Sequence, residues 1–332
     1  MTYRTRVSAL IVIILLIALS GCSKPSTQLA QPQFNYPPMA KANAAFPEPD
    51  PIHTKKEFMK VVAGSGLSKD SKTISALFRN AIGIDATVSG ANLKPGESKI
   101  GGMPDLPKGS KWPDYKGKPL PFIAQFRMVD VAKYDKETLL PKTGMLYFFY
   151  DAQEQPFGYD ISDKGKWKVI YYAGKSGLVT MKPPALLPAE YQFRPFKVSF
   201  ACKDTFPSAD TPFIQNLNIK SELKDLIYAW GQGSDIGGYQ LLGYPAEVQN
   251  EMYSECQLVT NGINCGGLEG YNDPRVESLL KGAIDWQLLL QVSSDETEGR
   301  MWGDDGYIYF WITKDDLKKR DFSKVWLILQ CG

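Results

Sequence analysis

Past about residue 80 the chain is a series of short, dense apolar runs separated by stretches rich in Gly, Pro and Asp. "AIGIDATV", "FIAQFRMVDV", "GMLYFFYD", "KWKVIYYA", "QFRPFKVSFAC", "WQLLLQV", "GYIYFWI" and "KVWLILQC" have strand length and strand composition. Several are apolar at consecutive positions, above all residues 307–312, which predicts strands covered on both faces. Helical patterns are fewer. "TKKEFMKVV", "SKDSKTISALFRNA", "SELKDLIYAW" and "PAEVQNEMYSECQLV" read as helices, the last with Val248, Met252 and Val259 roughly on one side. "KDDLKKR" carries Thr313 as N-cap, acids first and bases last, the order a helix dipole favours. "IGGMPDLPKGSKWPDYKGKPLP" must be largely loop. The expected fold is α+β, with large, mostly antiparallel sheets and peripheral helices.

The pattern also repeats. Gly102-Met103-Pro104, then "FIAQF", then "TGMLYFFYD" parallels Gly243-Tyr244-Pro245, then "LLLQV", then "DGYIYFWIT". Gln125 matches Gln291, and Gly144-x-x-Tyr147-Phe148 matches Gly306-x-x-Tyr309-Phe310. The spacings between pieces differ, so the expectation is a degenerate internal duplication.

The first residues follow different rules. Arg4 and Arg6 precede an apolar run from Val7 to Leu19 interrupted by Ser8, shorter than the roughly 20 residues of a spanning helix. Leu19-Ser20-Gly21-Cys22 reads as a lipobox, so residues 1–21 are expected to be a lipoprotein signal peptide and Cys22 the lipidated residue. An ordinary signal peptide or an uncleaved anchor is the alternative. Several acyl chains on one residue give lasting membrane attachment. Ser23, in place of Asp, suits transfer to the outer membrane, facing the periplasm. Residues 22–53, rich in Pro, Ala and Gln, form an expected tether, and residues 54–332 the folded body. Removing the leader takes two of the 38 basic residues and none of the 36 acidic ones, leaving a formally neutral chain. Neutrality argues against a nucleic-acid partner, which requires excess Lys and Arg. The expected partners are the membrane, through the lipid, and a protein.

Cysteine use suits an oxidising compartment. Cys22 apart, Cys202, Cys256, Cys265 and Cys331 remain. Cys256 and Cys265 flank a loop with an Asn-Gly turn signal, and a disulfide there would stabilise by roughly 2.7 kcal/mol on the chain-entropy model. The other reading is small buried thiols.

Chemistry is sparse. The single histidine, His53, ends the tether, which excludes Ser-His-Asp and Cys-His sites in the body. "AGKSG" lacks the first glycine of a phosphate loop, and "WGQGSDIGG" ends a helix where a dinucleotide fingerprint should open one, so no cofactor is implied. One loop, "SSDETEGRMWGDDG", gathers Asp295, Glu296, Glu298, Asp304 and Asp305 beside Trp302. Such acids can bind a partner or a cation, or do glycosidase-type hydrolysis; the plainer account is a solvated hairpin turn. Trp112, Tyr115 and Trp302 are either a glycan platform or packing. Gln125, Gln249 and Gln291 either tie backbone inside the core or line a polar groove between the halves.

"KIGGMPDLPKGSKWP", "GKPLPFIAQFRMVDV", "LPKTGMLYFFYD", "LLGYPAEVQ", "DWQLLLQVSSDE" and "MWGDDGYIYFWITKDDLKKRDFSKVWLILQ", in this order, resemble the YwqG-like family of bacterial proteins. The resemblance spans roughly Ile74 to Cys331. It implies an α+β domain, no established enzymatic activity, and a link to toxin systems as candidate immunity proteins. The leader and tether depart from the family pattern and argue against a cytoplasmic role.

Overall fold

The computed structural model describes residues 51–88, 93–174, 176–233, 238–295 and 299–332. The leader, Cys22, the tether up to residue 50, Glu296 and Glu298 lie outside the described residues. Ten strands form one sheet: β1 (Arg79–Val88), β2 (Lys99–Ile100), β3 (Phe122–Arg127), β4 (Met145–Tyr150), β5 (Trp167–Tyr172), β6 (Phe196–Thr205), β7 (Tyr239–Leu242), β8 (Trp286–Ser293), β9 (Tyr307–Thr313) and β10 (Trp326–Gln330). Their order across the sheet is β10-β9-β8-β7-β1-β6-β2-β3-β4-β5, and every neighbouring pair is antiparallel. With the helices around it this is the α+β architecture expected. β2 and β7 are two and four residues long, too short to carry a period of their own. Neighbouring backbone recruits them into the sheet.

The sheet repeats itself about its centre, each strand corresponding to the one five places on. In β3 and β4, Gln125 stands opposite Tyr147; in β8 and β9, Gln291 stands opposite Tyr309. The register slips between Phe122 and Ala124 in one half and between Leu288 and Leu290 in the other. After β2, Gly101 and Gly102 take φ of 66° and 76°; at the end of β7, Leu242 and Gly243 take 60° and 71°. The shared glycines have a shared cause. A Cβ on Gly144 would run into the Tyr172 carbonyl at the end of β5, and one on Gly306 into the Gln330 carbonyl at the end of β10. The first strand of each half is exchanged: β1 pairs with β7, β6 pairs with β2, and β1 and β6 pair with each other over ten positions.

The sheet curls until its ends meet. Trp167 Nε1 donates to the Val325 carbonyl at 2.9 Å, and its ring meets Trp326 edge to face at 4.8 Å. Phe148 of one half meets Phe310 of the other at 5.1 Å. Leu146, Phe148 and Tyr150 of β4 face this main core. Met145, Tyr147 and Phe149 face a smaller cluster with Leu106 and Leu120. Both faces are covered, which is why the run shows no alternation.

Among the described residues, five α-helices of six residues or more surround the sheet: α1 (Lys55–Ala63), α2 (Ser71–Leu77), α3 (Lys220–Gly233), α4 (Tyr253–Thr260) and α5 (Lys314–Lys319). A full capping box starts α1: Thr54 Oγ1 accepts from Glu57 N at 3.2 Å and Glu57 Oε2 accepts from Thr54 N at 3.0 Å. Phe58, Ile74, Leu223 and Trp230 join Phe78 and Phe206 in a core of their own. Ile52 is buried against it and its N–H donates to the Ala229 carbonyl at 2.9 Å, so this residue, expected to lie in the tether, packs with the body. The helix expected over residues 245–259 forms only from Tyr253. Residues before it instead cross the end of the second half of the sheet, because Gln291 and Gln330 capture their backbone: Ala246 N donates to Gln291 Oε1 at 2.8 Å, and Val248 N to Gln330 Oε1 at 3.1 Å.

Candidate functional site

The acid-rich stretch is the turn between β8 and β9, and the scaffold holds it closely. Asp295 and Arg300 exchange backbone hydrogen bonds of 2.7 and 3.0 Å. Gly306 N donates to the Trp302 carbonyl at 2.8 Å, and Asp305 takes the left-handed φ of 51° that a tight turn needs. The Asp304 carbonyl accepts from Gly332 N at 2.9 Å. The side chains of Asp304 and Asp305 are exposed, while Trp302 is 1% exposed, with its indole N–H on the Ser293 carbonyl. Trp302 is therefore no ligand platform. It meets Tyr150 edge-on at 5.6 Å and Phe193 at 5.9 Å. Trp112 and Tyr115 pack elsewhere, on the cluster around Phe149. Beneath the loop, Arg300 is fully buried among the rings of Phe193, Phe196 and Tyr239, and its Nη2 donates to Tyr239 Oη at 2.7 Å. Asp295 accepts from the same hydroxyl at 3.3 Å. No three described His, Cys, Asp or Glu side chains converge as metal ligands.

The three glutamines do not line a groove. Gln125 and Gln291 are fully buried and make the same bonds in the two halves. Gln125 Oε1 accepts from Asp105 N and its Nε2 donates to the Glu97 carbonyl, both at 2.8 Å. Gln291 Oε1 accepts from Ala246 N, and its Nε2 donates to the Gly238 carbonyl at 3.1 Å. Tyr147 and Tyr309 complete the motif, donating to the Asp105 and Ala246 carbonyls. Gln249 accepts from Tyr159 Oη and donates to the Cys331 carbonyl. The amides stitch loops to strands.

The expected 256–265 disulfide is also absent: Cys256 and Cys265 are separate buried thiols. Cys256 sits inside α4 facing the core, and Cys265 Sγ lies 3.7 Å from the Ile263 carbonyl and 4.0 Å from that of Glu255. Burial pushes the Cys265 thiol up to about 12. Beside them lies a group of acids that their spacing in the sequence does not reveal, since acids four apart on a helix read as its wet face. Glu251 Oε2 accepts from Tyr253 N at 2.8 Å and Ser254 N at 3.1 Å, capping α4. Glu255 accepts from Asn250 Nδ2 at 2.9 Å. Burial raises Glu251 to about 7, Glu255 to about 8, and Glu247 well above the ordinary carboxyl range.

A further opening lies elsewhere. A cleft of about 570 Å³ lies between the start of β1, the connection 137–143 into β4, the end of β7, the start of β8, and α5. Its floor is apolar and aromatic: Phe213, Tyr244, Tyr253, Trp286, Leu288 and Leu317. Five cations, Arg79, Lys142, Lys314, Lys318 and Arg320, stand around it against one carboxylate, Glu137. Glu137 Oε1 accepts from Asn80 N at 3.0 Å, and Lys314 Nζ donates to the Ile284 carbonyl at 2.8 Å. Arg320, at φ 59° after the last turn of α5, lies over the Tyr171 ring at 5.9 Å. Lys314 and Lys318 are four apart and share a face of α5, while Leu317 anchors it in the core. Burial pushes the Tyr244 phenol up to about 12, with Arg79 opposing the shift and Glu137 adding to it. The sequence hides this constellation, because its cations come from three separate segments.

Residues 98–331 match the family model described as a domain of unknown function, DUF1963. The chain belongs to that family. No curated protein matches the sequence. The DUF1963 span opens just before β2 and closes past β10, so β1, which lies between β7 and β6, falls before it. Every cleft residue except Arg79 and Asn80 lies inside the span.

Proposed function

We propose that this DUF1963 chain is a YwqG-like lipoprotein, held by an acylated Cys22 in the cell envelope at the periplasmic face of the outer membrane, that binds a partner without turning it over. The cleft carries the reading. Pockets of roughly 300–1,000 Å³ with an apolar lining and a few placed polar groups are the usual form of ligand sites. This one places five cations and a single carboxylate, Glu137, around an apolar lining. A role in neutralising a toxin is the protein-partner form of the same reading.

Two measurements test it. Cys22→Ala should shift the protein out of the membrane fraction or stall its processing; unchanged processing and fractionation would remove the anchor. A photo-crosslinking residue at Lys142 or Lys318 should yield a discrete adduct in intact cells that the same residue at Lys69, remote from the cleft, does not. Identical patterns at all three positions would remove the cleft as the binding site.

A further inference from the structure

We infer that the cleft takes an acidic peptide segment of a partner protein, with an aromatic or aliphatic side chain seated on the floor and carboxylates on either side of it; this rests on the cleft being the binding site. The full chain carries 38 basic and 36 acidic residues, so five cations against one acid at a single opening do not follow from overall charge. Arg79 comes from the start of β1, Lys142 from the connection into β4, and Lys314, Lys318 and Arg320 from α5 and its end. All five residues are exposed, so their charges face water and not a buried partner. Cations converging at one end would suit a single anionic head with a tail. Cations from three walls suit a ligand bearing negative charge on both sides of an apolar group, as an extended acidic peptide does. Phe213, half-buried at the opening, offers an aromatic seat backed by the buried rings of Tyr244 and Tyr253 at 5.7 and 5.1 Å, and one well-buried anchor side chain commonly supplies most of the binding energy of such a contact. The surrounding lysines then set encounter rate and selectivity.

The test uses the full chain in neutral detergent, immobilised and offered two peptide libraries. In one, Phe, Trp, Leu or Ile is flanked by Asp and Glu; in the other the same centres are flanked by Asn and Gln. The acidic library should be retained about tenfold more strongly, and retention should fall as salt rises from ~0.05 to ~0.3 M. Lys142→Glu with Lys318→Glu should abolish the difference at an unchanged melting temperature, and Lys69→Glu with Lys72→Glu should not. Equal retention of both libraries, lost in the cleft variant, overturns the acidic ligand and keeps the cleft. Retention of neither library overturns the peptide. Retention of the acidic library that the cleft variant leaves intact overturns both the ligand and the site. Detergent micelles carrying an anionic phospholipid, retained in place of the peptides where neutral-lipid micelles are not and lost in the cleft variant, would transfer the site to a lipid headgroup and overturn the peptide.

Discussion

Glu251 and Glu255, 4% exposed each, show how a residue's environment reaches the whole chain's pH response. The groups that act most on them include Asp210, Asn250, Tyr253, Ser254 and Tyr271, none of them a cation. Their folded pKa values, about 7 and about 8, lie above the ordinary glutamate value of 4.5. The folded state therefore holds protons that the unfolded chain releases. The stability these groups contribute is complete below ~4.5, is lost as pH rises to ~7 and ~8, and costs about 1.4 kcal/mol per unit of mismatch. Asp105 works the other way: desolvation opposes its ionisation, but Lys99 and Thr180 outweigh it and lower its pKa, so its contribution fails in strong acid. A melting series from pH 8.5 to pH 5 should rise, and Glu255→Gln should flatten the slope; a curve that falls toward pH 5 would refute the buried acids. The thiols give a second check. Cys256 and Cys265 should resist alkylation in the native protein and both react in denaturant without reductant, whereas a linked peptide in non-reducing mapping would restore the disulfide.

At the scale of elements, the hairpin at 293–307 separates structure from candidate chemistry. Trp311 in β9 is fully buried and meets Tyr253 at 4.8 Å, whereas Asp304 and Asp305 point outward from the turn. Trp311→Ala should cost about 3–5 kcal/mol, and Asp304→Asn with Asp305→Asn no more than about 1 kcal/mol, both read by denaturant titration. A calcium-dependent rise in melting temperature lost in the double Asn variant would return the acids to function. The stitching amides make a paired prediction. Gln125→Leu and Gln291→Leu each strand a buried backbone N–H and carbonyl, and each should cost about 2–4 kcal/mol. Similar losses from residues so far apart in sequence are what the repeat implies. These elements also mark the limit of legibility. The paired Gln and Tyr positions stand out in the sequence because both halves retain them. β2 and β7 do not, because tertiary pairing alone makes them strands.

For the whole molecule, strand exchange makes the two halves interdependent. Separated as residues 51–174 and 176–332, each half would lose one side of the ten-position β1–β6 pairing and of both the β1–β7 and β2–β6 pairings. An unpaired central strand exposes a full row of backbone groups. Neither half alone should show a cooperative melt, and mixing them from denaturant should restore one; independent melting of either half would contradict the exchange.

The sequence by itself determined the strand-rich α+β class, the repeat and the capped α5, because each depends on period, composition or a short motif readable in place. The tertiary structure alone decided that the halves trade their first strands, that residues 245–252 abandon the helix their pattern favours, and that the acid loop packs over a buried arginine. It alone assembled the cleft, whose cations come from positions 79, 142 and 314–320. The reason is physical: backbone groups and charges far apart in sequence meet only once the sheet has closed, and local propensity carries no record of which strangers will be neighbours.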